Sequence, residues 1–128
     1  MEMHQHHEDI FKGFYEHLKP IFSTSDQAVY LYMDDVNKVC NRKFSSLLGY
    51  KSPAEWARTE DTFLEAHVAK ESRELLASTH RNSMERMTGS MIDIKWKKRS
   101  GETVATKVIL VPISFKGHLF ALHFVSRA

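Results

Sequence analysis

Residues 91–125, MIDIKWKKRSGETVATKVILVPISFKGHLFALHFV, decide the fold. Ile92, Ile94 and Trp96 alternate with Asp93, Lys95 and Lys97, the period-2 pattern of a half-buried strand. Arg99-Ser100-Gly101-Glu102 reads as a turn, with Gly101 free to take a positive φ. A second strand is expected from Thr103 to Phe115, a turn at Lys116-Gly117, and a third strand from His118 to Ser126. Turns this short force antiparallel neighbours, so the stretch is a meander. Its last two strands do not alternate cleanly. Val108 to Val111 with Ile113, and Leu119 to Leu122 with Phe124 and Val125, place apolar groups on both faces. A sheet wet on one side shows polar residues at every second position, so both faces here require cover.

The preceding 90 residues supply candidates for that cover. Asp9–Phe22 reads as an amphipathic helix. Ile10, Phe11, Phe14, Tyr15, Leu18, Ile21 and Phe22 fall within roughly 140° of arc, with Pro20 expected to end the regular helix near Leu18. Ala28–Met33 reads as a strand, Asp34–Asn37 as a turn in which Asn37 tolerates the left-handed region, and Lys38–Cys40 as a returning strand. Asn41 is an N-cap for a short helix that Gly49 stops, and Ser52-Pro53-Ala54-Glu55 is a capping box opening another. Val68–Met87 is expected to be the longest helix, with Val68, Leu75, Leu76, Thr79, Ser83 and Met87 as its inward stripe. These central helices form one crossover of about 50 residues, which can cover one face only. The other face is left to the N-terminal helix.

Composition narrows the function. The chain has 128 residues, enough for one domain with a real core, and its apolar (42%) and charged (27%) fractions are those of a soluble globular protein. A net charge of +2 gives no electrostatic case for nucleic acid or membrane. The basic run Lys95–Arg99 is read as a solvated hairpin tip. A single cysteine, Cys40, no membrane-span run and no signal-peptide layout point to the cytoplasm. His4, His6 and His7 lie in a polar terminus with no matched ligand spacing, so no metal site is assigned. No Ser/His/Asp order and no Gly-rich phosphate loop appears, which argues against an enzyme. An α+β-cone enzyme with a buried His/Asp pair is a minor alternative.

The order of elements, with the residues that carry it, resembles a PAS domain. Tyr30 to Asn41 (YLYMDDVNKVCN) is similar to the family's strand–acidic turn–strand ending in Asn, with Asn37 in place of the usual Gly. Phe44 to Tyr50 followed by Ser52 to Trp56 is similar to its "F..LLGY..eE..G" segment. Lys98 to Glu102 resembles its "rkdGe" hairpin, and Pro112-Ile113 with Gly117 its "pI…G" turn. Val125-Ser126-Arg127 stands where an Asp-Ile-Thr exit signal is common, and that signal is missing. The resemblance runs from Phe22 to Arg127.

The resemblance implies an α+β fold with a five-stranded antiparallel sheet in order 2-1-5-4-3, helices on one face and a cavity between. It divides the chain into a flanking, dimerising helix (1–22) and a PAS domain (23–128). It implies a sensory module wired to a kinase, cyclase or transcription-regulator effector, none of which is in this sequence, so an excised piece and a stand-alone protein are both open. Cys40 precedes the LLGY-like helix, where light-oxygen-voltage domains place their reactive Cys after it, which argues against flavin. Haem-binding PAS domains use a His on the long helix. His80 lies there but on the flank of the apolar stripe, which argues against haem, and the cofactor is left unknown. Candidate cavity residues are Leu64, Leu76, Thr79, His80, Ser83, Trp96, Thr106 and Leu122; His67 and His123 are expected as core histidines hydrogen-bonded to backbone. Candidate homodimer residues are Ile10, Phe11, Phe14, Tyr15, Leu18 and Phe22. The leading expectation is a sensor that binds a small ligand in the helix–sheet cavity and signals through the sheet to the N-terminal helix. The rival is a ligand-free dimerisation or docking module.

Overall fold

A computed structural model describes residues 2–59 and 61–128, with side chains from residue 6 onward. The meander forms as its alternation requires: β3 (Ser90–Lys97), β4 (Thr103–Phe115) and β5 (His118–Arg127) pair antiparallel in succession. Lys116 and Gly117 make a two-residue turn with φ of 51° and 79°, the doubly positive geometry whose twist suits a hairpin. β1 (Ala28–Tyr32) adds beside β5 and β2 (Lys38–Cys40) beside β1. The five-stranded antiparallel sheet has the order β2-β1-β5-β4-β3, the α+β architecture expected.

Between β2 and β3 run α2 (Arg42–Leu47), α3 (Pro53–Ala57), α4 (Phe63–His67) and α5 (Lys70–Arg86), which pack on one face of the sheet. Asn41 ties this layer to the strands. Its Oδ1 accepts from Val29 N (3.0 Å) and, as N-cap, from Phe44 N (3.1 Å), while its Nδ2 donates to Gln27 O (2.9 Å). Ser52 Oγ accepts from Glu55 N, and the Glu55 carboxylate accepts from Lys51 N rather than from the cap residue itself. Thr62-x-x-Glu65 caps α4 with the same signature, one that the sequence reading passed over.

Three local expectations are corrected. Asn37 stays out of the left-handed region; instead Asp34 Oδ1 accepts from the backbone N–H of Val36 and Asn37, an Asx turn that closes the loop through its side chain. The buried stripe of α5 is Ser72, Leu76 and Ser83, whereas Leu75 and Met87 are exposed. Val68 precedes the helix and bridges Trp96, so a phase counted from Val68 is displaced. Leu76 and Ser83 belong to the expected stripe, and Ser72 does not. Met87 is the left-handed C-cap, φ 51°. Ser83 bonds Ser90 hydroxyl to hydroxyl at 2.6 Å. Ser72 Oγ accepts from Lys95 N at 2.9 Å, and Ala69 N donates to Lys95 O, so the outer side of β3 is occupied there.

The third correction concerns Pro20, which lies inside α1 (Glu2–Thr24) and does not end it, so that α1 with 23 residues, not α5 with 17, is the longest helix. Proline removes the bond to the carbonyl one turn earlier and its ring crowds that carbonyl, a local cost that the packing around it must offset. Phe22, buried against the sheet, holds the following turn, and the hydroxyls of Ser23 and Thr24 donate back to Pro20 O. Phe11, Phe14, Leu18 and Phe22 pack on Val29, Leu31, Phe120 and Leu122, the sheet's second face. The cover is partial: Met91 (69% exposed) and Ile109 (42%) lie beyond it.

Candidate functional site

A cavity of about 230 Å³ lies between the helix layer and the sheet. β1 and β5 form its floor with Tyr30, Tyr32 and His123; Phe63 and Leu64 make one wall, and Leu76 and His80 of α5 the roof. Tyr30 and His123 are paired across the two strands, which stacks their rings at 3.9 Å and 6°. Phe44 stacks on Tyr30 at 4.8 Å, and His80 meets Tyr32 edge-on at 5.6 Å. A wider recess of about 950 Å³ opens on the surface between α1 and the β2–α2 region, beside Tyr15, Lys19 and Arg42; none of its lining atoms is a buried polar group without a partner.

Burial sets the charge state of the cavity. Desolvation pushes the Tyr30 phenol up, and that of Tyr32 up as well, where the Asp35 carboxylate adds to it by accepting the Tyr32 hydroxyl at 3.0 Å. Burial pushes His123 down to about 3, with the nearby His80 reinforcing it, and also lowers His80. The floor is therefore neutral at physiological pH. His67, deeper in the helix layer, is held at about 4 by burial and then by Lys38 and Lys97. Cys40 is buried with its thiol pushed up to about 12, which leaves it unreactive. Among the described residues no group of three or more His, Cys, Asp or Glu is set to hold a metal ion. The side chain of His4 lies outside those residues, while His6 and His7 lie near His118.

Solved structures supply the comparison. A PAS domain of a Colwellia psychrerythraea protein superposes with a TM-score of 0.69 at 14% identity, covering 90% of this chain and 97% of that one. The PAS domain of an HTR-like protein from Haloarcula marismortui gives 0.65 at 16%, covering 97% and 99%. One from a two-component sensor histidine kinase gives 0.66 at 11%, covering 91% and 98%. The fold is that of a PAS domain. No family model matches the sequence, and no curated protein matches it.

In this PAS fold, three of the residues singled out from the sequence, Leu64, Leu76 and His80, line the cavity together with Ala77, Arg81, Tyr30, Tyr32, Phe63 and His123. Trp96 and Thr106 are not in the lining. Trp96 Nε1 donates to Thr106 Oγ1 (2.8 Å), which donates to Ile94 O (2.8 Å), a closed relay inside the core. Ser83 is engaged with Ser90, and Thr79 is half-buried outside the lining. Leu122 lies on the opposite face, against α1, because side chains alternate along β5 and His123 takes the cavity side. Of the helix residues considered for a homodimer, Phe11, Phe14, Leu18 and Phe22 bury into the chain's own sheet, with Ile10 and Tyr15 packed at the edges of that cluster. No helix among the described residues is long and apolar enough to cross a membrane.

Proposed function

We propose that this PAS domain is a sensory module that binds a small ligand in the helix–sheet cavity and passes its occupancy through the sheet to α1. The observation that carries the proposal is the cavity itself, enclosed by helix and sheet, whose floor residues Tyr30 and His123 carry a buried hydroxyl and a buried Nδ1 without a side-chain hydrogen-bond partner. Buried polar atoms are nearly always paired, and an unpaired one costs about 1–3 kcal/mol. The route outward is short. Tyr30 and His123 alternate with Val29, Leu31 and Leu122, whose side chains bear on α1. A ligand that displaces the first pair moves the strands on which the helix rests. The module acts by binding rather than by catalysis, works in the cytoplasm, and hands its signal to an effector such as a kinase, by analogy with the sensor kinase above. A cavity of about 230 Å³ lies below the range of roughly 300–1,000 Å³ that drug-sized ligands occupy, which favours a smaller guest than flavin or haem.

A second reading is a ligand-free docking module. Met91 and Ile109, paired across β3 and β4 and exposed beyond α1, favour it. Native mass spectrometry of protein purified from its source separates the two. A bound small mass supports sensing; a bare mass with a tight homodimer supports docking.

A further inference from the structure

The cavity lining is graded from inside to outside. Tyr30 and His123 are buried, Tyr32, Leu64 and His80 are half-buried, and Arg81 is exposed. The mouth therefore lies at the Tyr32 end, with β1 on one bank and the start of α4 on the other. Asp35, exposed in the β1–β2 turn and outside the lining, joins those banks. Its Oδ1 accepts from the Tyr32 hydroxyl at 3.0 Å and from Phe63 N at 3.1 Å. Phe63 N is the first amide of α4, for which no carbonyl within the helix is available, so the carboxylate takes that place. The turn carrying Asp35 is itself held, because Lys38 Nζ donates to Asp35 O at 2.6 Å. α4 is also pinned from α5, where Arg73 Nε donates to Leu64 O at 3.1 Å and to Val68 O at 3.0 Å. At its amide end, the bond to Asp35 is the one hydrogen bond to another element among the described residues.

Resting on the ligand-binding reading above, we infer that Asp35 is the positioning residue of the cavity mouth: its carboxylate ties Tyr32 to the head of α4, and a guest enters or leaves when that tie opens. Asp35 acts through Tyr32 and Phe63 rather than on the guest. An ionised acceptor holds both donors more firmly than a neutral one. Arg73 gives α4 a fixed end about which the amide end can swing.

The test uses the full chain with benzene as the probe, since an apolar cavity of about 150 Å³ accepts benzene and this one measures about 230 Å³. Amide chemical shifts and lineshapes give its affinity and its rate of exchange. Hydrogen exchange at Ala66 N, bonded within α4 to Thr62 O at 2.9 Å, reports on α4, and the amides of β5, the central strand, report on the whole fold. Asp35→Ala is expected to raise both the benzene exchange rate and Ala66 hydrogen exchange about tenfold, with affinity little changed and the β5 amides rising less. Asp35→Asn, which keeps an acceptor oxygen, and Tyr32→Phe, which removes one of the two bonds, should fall between wild type and Asp35→Ala. A benzene exchange rate unchanged in Asp35→Ala overturns the inference and leaves the ligand-binding reading standing. A rise at the β5 amides as large as that at Ala66 also overturns it, because Asp35 is then a general stabiliser. Benzene that perturbs no cavity amide in either protein at millimolar concentration overturns it too; the ligand-binding reading is decided separately, by the bound mass of protein purified from its source.

Discussion

Val29 and Tyr30 are neighbours on β1, and Leu122 and His123 are neighbours on β5, yet each pair faces two different interiors. Toward α1 the sheet presents Val29, Leu31, Phe120 and Leu122 to Phe11, Phe14, Leu18 and Phe22, a layer of hydrocarbon alone. Toward the central helices it presents Tyr30, Thr106 and His123 among Trp56, His67 and Trp96, a layer rich in hydroxyl, indole and imidazole groups. Part of that second layer is satisfied, as in the Trp96–Thr106–Ile94 relay, and part is not. The difference separates two tasks on one sheet. The hydrocarbon side contributes stability without directional bonding, and the mixed side gives up some stability by burying polar groups that lack partners.

The largest effect is expected on the hydrocarbon side. Phe14→Glu with Phe22→Glu places two carboxylates where two phenyl rings are buried and should cost at least about 5 kcal/mol, detaching α1 or abolishing the folding transition. Unchanged elution volume and melting temperature would show that α1 does not cover the sheet. On the mixed side, acid is the sharper probe. His67 and His123 have folded values of about 4 and about 3, both below the ordinary 6.5. The unfolded chain therefore binds protons that the folded chain excludes. Stability is full above about pH 6.5 and falls as the pH drops toward 4 and 3, at up to roughly 1.4 kcal/mol per pH unit for each histidine. Urea midpoints measured between pH 7 and 4.5 check this, and His67→Leu should remove about half of the slope. A smaller loss, about 1–3 kcal/mol, is expected for Thr106→Val, which strands the Trp96 indole N–H; thermal melts read it directly. Smallest, and opposite in sign, is Tyr30→Phe in ligand-free protein. Deleting an orphaned hydroxyl should leave stability unchanged or raise it by about 1 kcal/mol. A clear loss instead would mean that the hydroxyl has a partner and that the contrast between the two layers is overdrawn.

The two layers were unequally legible in the sequence. α1 announced its apolar stripe, and the meander announced its strands by alternation and by the Gly101 and Lys116-Gly117 turns. Leu76, on the inward stripe of α5, followed from helical spacing, whereas His80 read as a flank residue and Leu64 lay outside that helix. Tyr30 and His123 did not, because AVYLY and LFALHFV are apolar on both faces and show no parity. The signal was nonetheless present. A two-residue turn at Lys116-Gly117 pairs Phe115 with His118 and hence Leu110 with His123, which sets His123 on the face of Thr106 and Val108. Leu122 was assigned to the wrong interior for want of that count. The strand order β2-β1-β5-β4-β3 came from the family resemblance rather than from any residue pattern.

Ser72 has a consequence beyond helix packing. Its hydroxyl meets the Lys95 amide on the rim of β3, where a border strand would otherwise hold out an unsatisfied N–H to any passing extended segment. Exchanging it for alanine leaves that N–H without its acceptor beneath the Val68–Ala69 segment that still lies along the edge, and a lowered melting temperature, from a loss of about 1–3 kcal/mol, is the expected result.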